Sequence, residues 1–524
     1  MLTKQKLTNL INELLELGHE PSTREFRQIL RKYPKPEGGF YSKSEIIQMC
    51  ESVETTLGLS LKKVRKLLRM KPTRTISGVA PITIFTKPYP CPGNCIFCPT
   101  QENMPKSYLR EEPGAMRAES LKFDPYEQVK LRVRALKNIG HNTDKIELII
   151  SGGTWSFYPK DYREWFIEQA FKALNKLPKD SGQNLRKLHQ LNETVRHRCV
   201  GLAIETRPDY IDKKEIKHLR KLGVTKVQLG IQTLDDNVLK LNNRGHSSDE
   251  SREAINLLRL AGFKIHIHWM ANLYGSNIEK DYLDFQKLFC DKSIMPDELK
   301  IYPCSVLTGT KLYSLMKEGK YKPYTENDLI KLLVKCKTHI PKYSRVSRLV
   351  RDIPSQLIKG GSQKTNLRQL VQSRMKQEGL KCNCIRCREI RNGKFSPEAL
   401  KYKSFDYETA VSKEMFLSYV VNDRIVGFLR LTIPKKSYSR KHFIEELRDS
   451  AIIREIHIYG RALKIGDDSE SQHLGLGEKL IKKAEQIAAE IGFTKLAVIS
   501  AIGTRGYYRK NGFKDGELYQ YKML

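Results

Sequence analysis

The sequence predicts an α/β protein: a parallel strand–helix domain, then a second and smaller α/β domain, both behind a basic helical N-terminal region. Three observations carry this. Between about residues 76 and 306, apolar β-rich runs alternate with helical stretches about six times, the pattern of a parallel sheet that is either doubly wound or closed into a full or partial barrel. After about residue 401 a compact unit follows, with its own hairpin and a long amphipathic helix. Residues 1–75 instead repeat leucine and isoleucine at helical spacing, as in Leu7, Leu10, Ile11, Leu14 and Leu15.

The N-terminal region closes on residues 62–74, which hold seven basic residues and no acid. A solvated helix face is the plain reading, but so one-sided a run favours a track for phosphates. Strands are expected at residues 82–85, 145–150, 200–205, 226–231, 264–268 and 299–302, with helices at 124–139, 213–222 and 248–261 among them. In such sheets chemistry collects at the carboxyl ends of the strands. Residues 311–400 read as a connector; within it, residues 342–376 carry nine Lys or Arg and a single Asp. The last unit has strands at 415–421 and 424–433 around the turn Asn422-Asp423, a strand at 451–459, a helix at 477–491 and a strand at 495–500. The expected domains are 1–75 (basic and helical), 76–310 (parallel strand–helix domain), 311–400 (basic connector) and 401–524 (second α/β domain).

Composition narrows the function classes. In 524 residues, 40% are apolar and 29% charged, which excludes a mostly disordered chain. No run approaches the roughly 18 apolar residues of a membrane helix. The first residues lack a secretory signal, so a cytoplasmic protein is expected. Lys and Arg number 93 against 59 Asp and Glu, a formal charge of +34. A polyphosphate partner relieves that self-repulsion by counterion release; a lysine-rich proteome is the bland alternative. Of the 11 cysteines, six fall in two tight clusters, which in a reducing compartment read as metal or cluster ligands.

The first cluster, Cys91-Pro-Gly-Asn-Cys95-Ile-Phe-Cys98, has C-x3-C-x2-C spacing just after the first strand. Three thiolates hold three irons of a [4Fe–4S] cluster and leave the fourth open to a ligand; a zinc site or chance clustering is the competing reading. The second strand runs into Ser151-Gly152-Gly153-Thr154, a tight strand exit. Glu205 and Arg207 end the third strand and Gln232 the fourth, where a barrel presents polar groups to a ligand; a structural ion pair explains Glu205 and Arg207 equally well. Gln472-His-Leu-Gly475-Leu476-Gly477 fits Q-x-x-G-x-G before a helix, whose N-terminal N–H groups suit a pyrophosphate. Cys382, Cys384 and Cys387 supply three ligands at C-x-C-x2-C spacing, one short of a structural zinc site.

The cysteine loop with its strand–helix units resembles the radical S-adenosylmethionine superfamily, and the Q-x-x-G-x-G unit with Tyr507 and Tyr508 after it resembles the GNAT acetyltransferases. Together, in one basic chain, they resemble the catalytic subunit family of Elongator, the tRNA carboxymethyluridine synthases. Matching stretches include Asp144–Thr154, 204–210, 299–303, Arg351-Asp-Ile-Pro354, Asn366-Leu-Arg368 and Arg454-Glu-Ile-His-Ile-Tyr-Gly460. The resemblance implies a partial (βα) barrel of radical SAM type followed by a GNAT domain. It also implies a [4Fe–4S] cluster on Cys91, Cys95 and Cys98, S-adenosylmethionine beside Gly152, Gly153, Glu205, Arg207 and Gln232, and zinc on Cys382, Cys384 and Cys387. By matching position, Lys145, Glu455, Ile456, His457, Ile458, Gln472, Gly475, Leu476, Gly477, Glu478 and Tyr508 contact acetyl-CoA, with Lys145, Tyr507 and Tyr508 as the catalytic candidates. The implied reaction takes a hydrogen from the acetyl methyl group, adds that carbon to C5 of the tRNA wobble uridine and hydrolyses the thioester. Implied partners are the tRNA anticodon stem-loop and an electron donor, with no membrane and no dedicated Elongator complex, as in the non-eukaryotic branch. Where the family pattern has His-x-Met-Pro, this chain has His268-Trp-Met-Ala271.

Two other functions compete. A protein lysine acetyltransferase needs only residues 401–524, and leaves the basic tracts and the first cysteine cluster unexplained. A non-catalytic tRNA-binding module leaves the intact cysteine and glycine motifs unexplained.

Overall fold

A computed structural model of the chain describes residues 4–52, 61–391, 395–459 and 475–524. Its centre is a seven-stranded, all-parallel sheet in the order β1-β2-β3-β4-β5-β6-β8. The strands are β1 (Ala80–Phe85), β2 (Lys145–Ser151), β3 (Arg198–Thr206), β4 (Lys226–Gln232), β5 (Lys264–Trp269), β6 (Glu298–Ile301) and β8 (Arg345–Arg348). A short ribbon, β7 (Val306–Leu307) and β9 (Ile358–Gly360), flanks the last of them. The sheet thus runs past residue 310, where the sequence reading ended the strand–helix domain. β8 escaped that reading because Arg345-Val-Ser-Arg348 has one apolar residue in four.

The period-two alternation of these strands separates an apolar outer face from a polar inner one. Ile146, Leu148, Ile150, Val227, Leu229, Ile265, Ile267, Leu299 and Ile301 are buried in one core beneath the crossover helices. The complementary positions are Glu147, Lys226, Gln228, Lys264, His266, His268, Glu298 and Lys300, and their side chains meet one another. Side-chain caps fix several crossover helices: Asp124 accepts from the Glu127 N–H, Asp212 from Glu215, and Ser247 closes a capping box with Glu250.

Helices Lys4–Glu16, Thr23–Leu30, Lys43–Ser52 and Leu61–Leu68 bury a separate apolar core that includes Leu7, Leu10, Ile11 and Leu14. This bundle docks on the central domain through the Met70 N–H to the Ile139 carbonyl, 3.1 Å, and Arg69 Nε to the Gly140 carbonyl, 3.2 Å.

The second sheet has the order β10-β11-β12-β13-β14-β16-β15, with β10 (Lys401–Glu408), β11 (Ser412–Val421), β12 (Arg424–Pro434), β13 (Ser450–Ile458), β14 (Lys495–Val498), β15 (Lys514–Asp515) and β16 (Gln520–Met523). All its pairings are antiparallel except β13 with β14. Asn422 and Asp423 both have positive φ (47° and 62°), as a two-residue hairpin turn requires. One face of the sheet packs on helix Leu476–Glu490 through Leu429, Leu431, Ile453, Leu480 and Ala484. Its other face packs on the central domain: Ile452, Ala497, Ile499 and Ile502 share one core with Ala261 and Leu222.

Charge crosses this second interface as well. β12 and β13 pair Arg430 with Glu455 and Leu431 with Ile453, so Arg454 is the extra residue of a β-bulge. The bulge lets Arg454 and Glu455 both contact the central domain. Arg454 clamps Asp297 at 2.5 and 2.8 Å and also reaches Glu414 at 2.7 Å. Arg430 bridges Asp297 and Glu455 at 3.2 and 2.9 Å. Glu455 continues to Lys264 at 2.6 Å, and Lys264 to Glu298 at 2.8 Å. Asp297 is 0% exposed, and its two arginines hold its carboxyl far below the usual range against the opposing effect of burial.

Removing one partner of such a set leaves buried charge unpaired. Asp297→Ala is expected to destabilise the chain by about 3–5 kcal/mol. Adding Arg454→Met to Asp297→Ala should recover part of that loss in urea denaturation. Additive losses from the two substitutions would show that the ions do not act as one set.

Candidate functional site

At the carboxyl ends of the central strands the sequence-expected residues come together. Cys91, Cys95 and Cys98 lie in the loop after β1. The Cys91 thiol is 3.8 Å from the Thr154 hydroxyl after β2, and Arg244 Nη1 reaches Cys95 Sγ at 3.5 Å. The Gly93 N–H points at Cys91 Sγ, 3.5 Å, and the Cys98 N–H donates to the Cys95 carbonyl, 3.1 Å. Burial pushes the Cys98 thiol up to about 11, so it needs a metal or a cation to hold it as thiolate. Arg207 is fixed by Asp209 at 2.9 and 2.8 Å and by the Gly245 carbonyl at 2.9 Å, while its buried Nη1 has no hydrogen-bond partner. A Cβ at Gly93 would fall 2.2 Å from that nitrogen, so only glycine fits there. Arg207 pairs with Asp209 rather than with Glu205.

Gly152 has φ 125°, and a Cβ there would sit 2.2 Å from Thr86 Oγ1. Its carbonyl accepts from Thr86 and Tyr158, each at 3.1 Å. Gly153 also has a positive φ, 113°. Glu205 faces the strand interior, accepting from the Tyr108 hydroxyl at 2.9 Å and lying 3.2 Å from His268 and 3.9 Å from Lys300. Burial opposes its charge, but Lys300 foremost, with the Tyr108 hydroxyl and Arg351, outweighs that and holds its pKa below normal. Burial and Lys300 push His268 down to about 3, so its ring is neutral. Gln232 adopts a left-handed φ of 68°, and its amide nitrogen would lie 2.9 Å from a Cβ at Gly230.

Tyr108, Arg244, Lys300 and Arg351 were not assigned roles from the sequence. Arg351 bonds Ser107 and Glu112 and stacks 4.9 Å over the Tyr108 ring, tying the segment after β8 to the loop after β1. His268, Lys300 and Arg351 lie in motif stretches that gave a signal; Arg244 sits in Asn-Arg-Gly-His, which gave none. Ala271 is fully buried, and its carbonyl accepts from the Cys304 N–H at 2.8 Å, so the strand exit closes there without a proline.

The second set gathers at the opposite ends of the strands. β13 and β14 part after the pair Ile453–Val498, which leaves Glu455, Ile456, His457 and Ile458 along an open slot. His457 Nε2 lies 2.9 Å from the Ser77 carbonyl, just before β1. Gly475 opens helix Leu476–Glu490 in a left-handed conformation (φ 59°) with no side-chain cap, so the N–H groups of Leu476, Gly477 and Glu478 head an uncapped helix end. A Cβ at Gly477 would meet the Tyr507 hydroxyl at 2.4 Å. Tyr508 is buried in the helix-facing core, and among the described residues its hydroxyl has no hydrogen-bond partner. Gln472 lies outside the described residues. Lys145, the first residue of β2, has no carboxylate within 4.0 Å among the described residues; burial lowers its pKa and Asp144 opposes that. Its neighbour across the pair, Arg198, abuts Gly503 of the second domain.

The two sets are therefore separated by the length of a strand. Lys145 begins β2 and Ser151 ends it, which puts about 20 Å between the two rims at about 3.3 Å per residue. The two domains pack face to face, but the acetyl-domain slot lies at the rim away from Cys91, Cys95 and Cys98.

Cys382, Cys384 and Cys387 place their three sulfurs within 4.8 Å of one another, a fit to a single metal ion, and no fourth His, Cys, Asp or Glu joins them among the described residues. Of the basic tracts, Lys63, Lys66, Lys71 and Arg74 are exposed. The tract at 342–376 is partly structural: Arg345 pairs with Glu389, Arg348 with Asp352, Arg351 with Glu112 and Arg374 with Glu378, which leaves Lys359, Lys364 and Lys376 exposed.

Comparison with known proteins agrees with this division. The radical SAM superfamily description matches residues 89–285, the Radical_SAM C-terminal domain residues 296–377, and the acetyltransferase (GNAT) family residues 385–513. The chain is 41% identical over 505 residues to a tRNA uridine(34) acetyltransferase of Methanocaldococcus infernus, covering 93% of this chain and 92% of that one. It is 43% identical over 468 residues to one of Dehalococcoides mccartyi, covering 87% and 99%, and 37% identical over 478 residues to human Elongator complex protein 3, covering 87% and 86%. A solved structure of the archaeal M. infernus Elp3 lacking its N-terminus superposes with a TM-score of 0.75 at 39% identity, covering 86% of this chain and all of that one. The cysteine loop, the split acetyl-domain sheet and these matches along nearly the whole chain have one reading: it belongs to the tRNA uridine(34) acetyltransferase family, the radical SAM–GNAT proteins that include Elongator complex protein 3.

Proposed function

We propose that this enzyme modifies uridine 34 of tRNA at C5, with acetyl-CoA as carbon source and 5-carboxymethyluridine as product. The observation that carries this is the pairing in one chain of a cysteine loop at one rim of the central sheet with a split acetyl-domain sheet and an uncapped helix start at the other, with charge and apolar core continuous between the domains. The residues fit the groups implied. Cys91, Cys95 and Cys98 supply three thiolates, and Arg207 aims an unpaired buried N–H beside Gly93. When bound, the cluster and S-adenosylmethionine supply one-electron cleavage chemistry strong enough to take hydrogen from a methyl group.

The chain's own residues do the rest. Gly152 and Gly153 let the β2 exit approach a ligand closely, and Glu205 holds an acceptor charge in the interior. Leu476, Gly477 and Glu478 offer N–H groups to a pyrophosphate, Lys145 offers a desolvated ammonium to a phosphate, and the Tyr508 hydroxyl, without a partner among the described residues, is the proposed donor to a thioester. Cys382, Cys384 and Cys387 hold zinc, a divalent ion matched to thiolate ligands. The exposed lysines and Arg74 of residues 62–74 contact tRNA phosphates. An electron donor outside the chain reduces the cluster in the cytoplasm, and no Elongator complex is needed. The 20 Å between rims means the acetyl unit moves between its cradle and the radical source during turnover, since hydrogen transfer needs contact at about 3–3.5 Å.

Three outcomes test this reading. Cys91→Ala/Cys95→Ala/Cys98→Ala should lose S-adenosylmethionine cleavage after anaerobic reconstitution while acetyl-CoA binding is unchanged; retained cleavage would sink the cluster assignment. Lys145→Ala should weaken acetyl-CoA binding about 10–100-fold in calorimetry, the usual cost of one charge-assisted contact. An unchanged affinity would remove Lys145 from the site. Substituting Lys63, Lys66, Lys71 and Arg74 by Ala should lower the slope of log affinity for tRNA against log salt by roughly 3 units, at ~0.7–0.9 per phosphate contact. An unaltered slope would return this tract to plain solvated surface.

A further inference from the structure

The Cys382, Cys384 and Cys387 site has a neighbour that neither the cofactor chemistry nor the tRNA accounts for. A cavity of about 290 Å³ opens beside it, lined by Lys337, Gln372, Met375, Lys376, Leu380 and the two outer cysteines, Cys382 and Cys387. Lys337, from helix Glu326–Thr338, is 0% exposed, and its Nζ lies 3.9 Å from Cys387 Sγ. No carboxylate lies within 4.0 Å of it among the described residues. A buried ammonium needs a buried negative charge, and the sulfurs are the groups placed to provide it.

Charge decides the coordination. Three thiolates around a divalent ion carry one net negative charge, which the Lys337 ammonium cancels. Arg368 and Arg386 lie within electrostatic reach of Cys384 and add positive charge that a fourth anionic ligand would use, and no fourth thiolate from the chain is present among the described residues. Two of the three sulfurs line the cavity, so the remaining position on the metal faces open space rather than protein. Structural thiolate sites are closed by four protein ligands, whereas sites that exchange a ligand keep one position open. Lys376 and Lys381 stand exposed at the cavity wall, where they can offset the charge of an incoming anion.

We propose that this site, read as a metal site, is an open three-thiolate centre whose fourth position takes a small exogenous thiolate through the cavity. Water leaves the metal as the thiolate enters, and the thiol proton passes to solvent. The site is a binding centre separate from both cofactor rims, and a cavity of this volume admits a small molecule and no polymer.

The test uses full-length protein carrying Cys91→Ala, Cys95→Ala and Cys98→Ala, so that the trio is the remaining clustered thiolate set, loaded with Co(II). Adding 2-mercaptoethanol should raise the thiolate-to-cobalt charge-transfer absorption saturably by about one third, as three sulfur ligands become four. Gln372→Trp, which fills the cavity, should bind the same amount of cobalt and lose that rise. A spectrum that does not respond to the thiol, or that has four-thiolate intensity before addition, would overturn the open position while leaving the metal site standing. Failure to bind cobalt at all would overturn the metal reading itself.

Discussion

The buried ion set centred on Asp297 is the constraint on which the architecture rests. It contains three elements of the acetyl-domain sheet and the first residues of β5 and β6, and every member is satisfied only when both domains are in place. Replacing the set by apolar residues of similar volume would cost little in stability by itself, since buried ion pairs are weak stabilisers. Its effect is on geometry. An apolar interface tolerates small slides; a bidentate arginine clamp on a buried carboxylate does not. The bulge at Arg454 is what makes the clamp possible, because it brings two successive charged side chains to the same face.

The polar interior of the central sheet extends that constraint toward the cysteine loop. Lys264 and Glu298 join the ion set to Lys226 and His266, and one residue pair further along each strand stand His268, Lys300 and Glu205. Burial and neighbouring cations keep both histidines neutral, so Glu205 is the negative charge facing Lys300 in the strand interior, while Asp209 pairs with Arg207 nearby.

Much of this was legible in the sequence where one physical rule dominated. Strands buried on an apolar face, such as β2 and β4, announce themselves by β-branched runs, and the turn at Asn422-Asp423 by residues that tolerate positive φ. The cysteine spacing and Gly152-Gly153 located one rim, and Q-x-x-G-x-G the other, although Gln472 falls outside the described residues. β8 and β10 were missed because they carry few apolar residues: β8 is short, and β10 is an exposed edge reading Lys-Tyr-Lys-Ser-Phe-Asp-Tyr-Glu. Arg244 could not be found because a contact to Cys95 across 149 positions leaves no local pattern. The basic tract at 342–376 shows the opposite failure. Its charge excess is real, yet four of its five arginines pair with carboxylates, three of them outside the tract, which composition cannot see.

The strand-length gap between the two rims has a consequence for timing. On the proposed reaction, neither rim can sense the other's occupancy by touch, so cleavage before the acetyl group arrives would be unproductive. Ordering must come from something that reaches both ends. Among the described residues, buried charge and apolar core bridge the two domains, and the charged set is closely paired. On the proposed reaction, a polynucleotide substrate is long enough to reach both rims, and it would time the steps as well as receive the new group.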